Sequence, residues 1–157
     1  MLKAVHLTRT MSDDVRERLR DRLGRHNVTT SPAFARGVAA ELDTAVPFEL
    51  TVHREEHLVG GLAGSVRRGW LDVDLLWVSD EARGQGIGRM LLDQAEQEAQ
   101  RMGARHVKLS TFDFQAPAFY QARGYSVYGV LEDYPAGCTL YLLRKDLSVN
   151  PASEPST

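Results

Sequence analysis

Val78-Ser79-Asp80-Glu81-Ala82-Arg83-Gly84-Gln85-Gly86-Ile87-Gly88-Arg89 joins a hydrophobic strand to a long amphipathic helix, and the fold reads outward from it. Glycines at 84, 86 and 88 allow close approach of backbone to a ligand and dihedrals that side-chained residues resist, so successive amides can converge on one anion. A helix begins at once, offering unpaired N–H donors and roughly half a positive charge at its N-terminus. Arg83 and Arg89 add full charges on either side. The expected ligand group is a diphosphate.

Before this loop, Trp70 to Val78 is the most hydrophobic strand; its alternation places Trp70, Asp72 and Asp74 on one face and Leu71, Val73 and Leu75 on the other. Phe48, Leu50 and Val52 alternate with polar residues, and after a turn at Glu55-Glu56 a glycine-rich strand runs from Leu58 to Val66, so this pair reads as an antiparallel hairpin. Its glycines at 60, 61 and 64 point to a bulge or a close backbone or ligand approach.

After the loop, Ile87, Leu91, Ala95, Ala99 and Met102 recur at helical spacing, with Asp93, Glu96, Gln97, Gln100 and Arg101 opposite and Gly103 as the stop. A strand follows at His106 to Thr111, then a short helix from Gln115 to Arg123 with Pro117 in its first turn. Strands at Tyr125 to Leu131 and Thr139 to Arg144 complete the pattern, separated by a turn at residues 133–137. The strand–helix–strand unit from Trp70 to Thr111 is expected to be a right-handed parallel crossover.

The N-terminal part is less legible. Residues 2–8 alternate weakly as a first strand. Ser12 with Asp13 and Asp14 reads as the N-cap of a helix through about Arg25, ended by Gly24 and Asn27. Residues 28–46 read either as a loop or as a short helix starting at Ser31-Pro32, and are expected to form a mobile cover over a site. Residues 148–157 read as a disordered tail behind a single domain of residues 1–147.

The 157 residues suffice for one ordinary core. A hydrophobic fraction of 43% with 25% charged residues is that of a soluble protein, and no apolar run approaches the ~20 residues of a membrane span. No signal-peptide pattern is present at the N-terminus, and Cys138 is the single cysteine, so the expected compartment is the cytoplasm. With 19 basic and 21 acidic residues the net charge is −2, which gives no basic footprint for nucleic acid.

Arg83-Gly84-Gln85-Gly86-Ile87-Gly88 resembles the Gln/Arg-x-x-Gly-x-Gly/Ala motif of the GNAT superfamily of acetyl-CoA-dependent N-acetyltransferases. Downstream, Ala116-Pro117-Ala118-Phe119-Tyr120-Gln121-Ala122-Arg123-Gly124-Tyr125 is similar to the family's helix ending in Phe-Tyr-x-x-x-Gly-Phe/Tyr. The likeness spans approximately residues 48–146 in the order and spacing of elements, and Thr111 to Ala116 resembles a branch of small members whose substrates are mostly unassigned.

The resemblance implies an α+β domain with a mixed, mostly antiparallel sheet of six or seven strands, splayed at its centre and flanked by about four helices. It implies that the backbone of Leu76, Trp77 and Val78 pairs with the pantetheine arm of acetyl-CoA, and that Arg83, Gly84, Gln85, Gly86, Ile87, Gly88 and Arg89 take the diphosphate. Phe119 and Tyr120 would flank the thioester. Tyr120 matches the family's general acid, and a phenol with an ordinary pKa of roughly 10 holds its proton at neutral pH. Asp74, with Asp72 behind it, is the candidate base for the incoming amine. Phe114 or Gln115 stands where many relatives have Asn, and Cys138 where the branch often has His; a partly buried structural thiol is the simpler reading of that cysteine. The implied activity is acetyl transfer to a primary amine of a small molecule by direct attack in a ternary complex. A peptide or protein acceptor and a non-catalytic acyl-CoA sensor are the alternatives. Homodimers are common in the family.

Two other motifs are weaker. His53-Arg54-Glu55-Glu56-His57 matches the inverted zinc-protease pattern, but that chemistry needs a helix and this stretch reads as a hairpin turn. A dinucleotide loop would need glycine where Arg89 stands. Trp70, Trp77 and Tyr134 are candidates for lining an acceptor pocket, and acidic Glu41, Asp43, Glu132 and Asp133 would favour a cationic amine.

Overall fold

Ser12 caps the first helix as expected: its hydroxyl accepts from the Val15 amide at 3.3 Å, and α1 runs over Asp13–Thr30. The computed structural model describes residues 6–39 and 43–147. The chain divides into two compact units, residues 1–41 and 42–157. In the first unit, neither Gly24 nor Asn27 ends α1. Glycine inside a helix costs only about 1 kcal/mol, whereas a residue before proline is pushed out of the helical region. Ser31, preceding Pro32, adopts φ −124° and ψ 104° and stops the helix there, its amide donating to Asn27 O. The same residue starts the next helix. Its hydroxyl accepts from the Phe34 amide at 3.2 Å, and α2 spans Pro32–Ala39, which decides the ambiguity of this stretch in favour of a helix. Residues 6–8 form no strand, and the remainder of the expected first strand lies outside the described residues, as does the tail from 148.

Among its described residues the second unit holds six strands: β1 (Val46–Arg54), β2 (His57–Arg67), β3 (Trp70–Val78), β4 (His106–Phe112), β5 (Ser126–Leu131) and β6 (Leu140–Asp146). They form one sheet in the order β1-β2-β3-β4-β6-β5, in which only β3 and β4 run parallel. The parallel pair is joined by α3 (Ile87–Arg101), as the crossover pattern predicts, and a short α4 (Pro117–Gln121) leads from β4 towards β5. Leu62, Val66, Leu71 and Val73 of the sheet and Leu91, Leu92, Ala95 and Ala99 of α3 make the centre of the core, all nearly or fully buried.

Two expectations are corrected here. Glu96 does not lie on a solvated face of α3. It is 9% exposed, accepts from the Tyr125 hydroxyl at 2.8 Å and pairs with Lys145 Nζ at 2.6 Å. A helical wheel puts a charged residue outside by default, and the partners that draw it inward come from distant parts of the chain. Removing one member of a buried pair leaves the others uncompensated, so Glu96→Ala should destabilise the fold by about 2–4 kcal/mol in denaturant titration. A loss under about 0.5 kcal/mol would show that the pair is not holding the core.

The second correction concerns β3. Leu75 is 56% exposed, whereas Leu76 and Val78 pack on the core. The register explains the switch: Gly64 pairs with Val73 and Ala63 with Leu75, leaving Asp74 as an extra residue in a β-bulge. Gly64 permits it, because a Cβ there would stand 2.5 Å from the Asp72 carbonyl oxygen. The glycine-rich strand does mark a bulge and a close backbone approach. The residues of the His-x-x-Glu-His pattern form the β1–β2 hairpin, with Arg54 opposite His57 and no helix to converge the imidazoles.

Candidate functional site

The sheet opens between its two parallel strands. Pairing of β3 with β4 ends at Val73 and Leu109, yet β3 continues along β2 to Val78 and β4 continues along β6 to Phe112. The β4-facing edge of Leu76, Trp77 and Val78 therefore has no strand partner. A cavity of about 920 Å³ fills the gap, bounded by the end of β3, the loop and first turn of α3, the end of β4, and α4.

The loop supplies the polar end. After a single 3-10 turn at Asp80–Ala82, Gly84 and Gly86 take φ of 73° and 81°. Gly86 is the N-cap of α3, and the first bond into the helix is Met90 N to Gly86 O. The amides of Ile87, Gly88 and Arg89 thus lack intrahelical acceptors, as the first turn of any helix must. Arg83, Gly84, Gly86, Ile87, Gly88 and Arg89 all line the cavity. Gln85 does not. Its side chain accepts from Arg54 Nη2 at 2.6 Å and donates to Glu81 O at 2.9 Å, tying the loop to the end of β1.

The opposite wall is α4. Phe119 packs beside Gly88, its ring atom 3.6 Å from where a Cβ there would sit, and meets Tyr120 edge-on at 5.1 Å between centroids. Tyr120 is 8% exposed and lines the cavity. Its hydroxyl bonds to no other described residue, in contrast to Tyr125, whose hydroxyl is held by Glu96. Burial raises the pKa of Tyr120 above the ordinary 10.0, and burial with the adjacent Glu96 carboxylate raises that of Tyr125 further. The folded state favours both neutral phenols, so their contribution to stability is complete below pH 10 and is lost as pH rises through the folded values. Thermal melts should accordingly be insensitive to these groups at neutral pH and fall above about pH 10. A midpoint unchanged to pH 12 would overturn this.

Asp74, at the bulge, lines the main cavity and a smaller one of about 260 Å³ that also touches Asp72, Lys108, Ser110 and Tyr128. Asp72 pairs with Lys108, its register partner on β4, so its carboxylate is committed. Asp74 has no such partner across the strands, because β4 has already diverged.

Residues that sequence reasoning missed are Ser110, Thr111 and Arg123, all on the cavity wall. The general preference of ligands for the C-terminal ends of parallel strands would have pointed to the first two. Phe114 also lines the cavity, and Gln115 Oε1 accepts from Thr111 Oγ1 and the Phe112 amide, bracing the turn into α4. Trp70 is elsewhere, stacked on His106 at 4.5 Å. Residues 133–138, including the partly buried Cys138, line neither cavity.

This splayed sheet with a glycine-lined helix N-terminus beside the gap is the architecture of an acyl-CoA-dependent acetyltransferase, and residues 13–125 match the Acetyltransferase (GNAT) family. The chain belongs to that family. It is 48% identical over 91 residues to a blasticidin-S acetyltransferase of Streptomyces morookaense, covering 57% of this chain and 67% of the relative. It is 36% identical over 97 residues to an acetyltransferase of Agrobacterium fabrum, covering 61% and 71%. A crystal structure of an acetyltransferase from Bacillus cereus superposes with a TM-score of 0.74 at 29% identity, over 90% of this chain and 98% of the other. Nourseothricin acetyltransferase superposes with a TM-score of 0.59 at 25% identity, over 65% and 66%.

Proposed function

We propose that the protein transfers an acetyl group from acetyl-CoA to a primary amine of a small molecule by direct attack in a ternary complex. One observation carries this reading: a single cavity is lined by residues 86–89 at the N-terminus of α3, by Tyr120, whose hydroxyl bonds to no other described residue, and by Asp74 on the β3 side. The residues suit the donor at each point. A positive-φ loop with a helix dipole fits a diphosphate, and the unpartnered edge of Leu76, Trp77 and Val78 fits an extended amide-bearing arm. When bound, acetyl-CoA supplies a thioester whose carbonyl is open to an amine.

The chain's own groups divide the proton work. Asp74, unpaired across the strands, accepts the proton that an ammonium acceptor must lose. Tyr120, kept neutral by burial, holds a proton where a departing thiolate needs one. The relative that acts on blasticidin S supports a small amine-bearing acceptor. A thiol-release assay against an amine panel that includes blasticidin S tests the reading. Amine-dependent release is expected; acetyl-CoA binding with no release from any small amine or peptide would instead identify an acyl-CoA sensor, and release with peptides alone would identify a peptide acetyltransferase.

A further inference from the structure

Three arginines line the cavity, but their charges are not equally available. Arg83 pairs with Asp80 at 2.9 Å and Arg89 with Asp93 at 3.4 Å, each within its own turn of chain. Arg123 makes no ion pair with any described residue. Its guanidinium carbon stands 4.8 Å from the centroid of Phe119, and its Nε is buried without a hydrogen-bond partner. A buried guanidinium donor without an acceptor is unfavourable, and such a group in a cavity wall is a candidate to meet a ligand acceptor. Phe119 abuts Gly88 at the first turn of α3, so the aromatic ring beneath Arg123 borders the anion-binding end of the cavity.

We infer that Arg123 is a phosphate-binding residue of this site, its guanidinium placed over the Phe119 ring so that its donors meet a phosphate of the donor nucleotide. The planar fork of arginine suits phosphate oxygens, and stacking on an aromatic ring orients it at little entropic cost. This rests on acetyl-CoA being the donor. Two phosphates of CoA have the same chemistry, the diphosphate and the 3′-phosphate, and ligand choice separates them.

The test is calorimetric titration of the full chain, its Arg123→Gln variant and its Arg123→Lys variant with CoA, dephospho-CoA and pantetheine. Arg123→Gln should weaken CoA binding by about 10- to 100-fold, the factor of a charge-assisted hydrogen bond, and leave pantetheine affinity unchanged; Arg123→Lys should recover part of the loss. A loss that persists with dephospho-CoA assigns the diphosphate, and one that vanishes with it assigns the 3′-phosphate. Unchanged CoA affinity in Arg123→Gln, or an equal loss for pantetheine, overturns the inference and leaves Arg123 as a cover on Phe119. A wild-type chain that binds no CoA overturns the donor itself, and this assignment with it.

Discussion

Tyr120→Phe is expected to lower kcat by about 100-fold, the lower end of what a positioned general acid contributes, with acetyl-CoA affinity essentially unchanged. The substitution removes one oxygen and keeps the ring that packs edge-on against Phe119 and Tyr125. Its hydroxyl has no partner among the described residues, so no buried acceptor there is orphaned and stability should hold. The parallel variant Tyr125→Phe provides the contrast. Among the described residues it leaves Glu96 with Lys145 alone, so it should reduce stability while leaving kcat nearly intact. Steady-state kinetics with a saturating amine decide the matter: wild-type kcat in Tyr120→Phe would refute its role as acid.

Gly86→Val should lower acetyl-CoA affinity by at least about 100-fold. Gly86 sits at φ 81° as the N-cap of α3, a conformation costing an ordinary residue roughly 1–2 kcal/mol and a β-branched one more. Beyond its immediate chain neighbours, no atom of the described residues lies within 4 Å of the added Cβ, so the penalty is not a clash with a distant part of the chain. It comes from backbone strain that turns the amides of residues 87–89 away from a common point, and from a side chain placed on the cavity wall. Gly103 provides the control, since it has φ 87°, equally open surroundings and a position beyond the far end of α3. Gly103→Val should cost comparable stability and no affinity. Equal acetyl-CoA dissociation constants for wild type and Gly86→Val would remove the loop from the binding site.

What the sequence determined by itself was the local grammar of the site. The three alternate glycines, the strand before them and the 3.6-residue period after them specify β3, the loop and α3, because dihedral freedom and amphipathic periodicity are properties of neighbouring residues. Pro117 and Gly124 likewise bracket the helix that carries Phe119 and Tyr120. Where a local signal misled, a stronger neighbour had won: Gly24 weakens α1 without ending it, and the Ser31-Pro32 step ends it.

Only the tertiary structure decided which charged groups are free. Glu96 reads as a surface residue until Tyr125 and Lys145 arrive from other elements, and the preference for Asp74 over Asp72 gains a physical cause only when Lys108 claims Asp72. The bulge that separates those two aspartates depends on the approach of Asp72 O to Gly64 on the next strand. Arg123 follows the same rule: the lack of a carboxylate partner among the described residues, the Phe119 ring beneath it and its buried Nε distinguish it from Arg83 and Arg89 only once the chain is folded. Backbone preference is encoded within a few residues of itself. Charge compensation is a sum over neighbours in space, and the sheet brings those neighbours together only when it closes along β3 and opens beyond Val73.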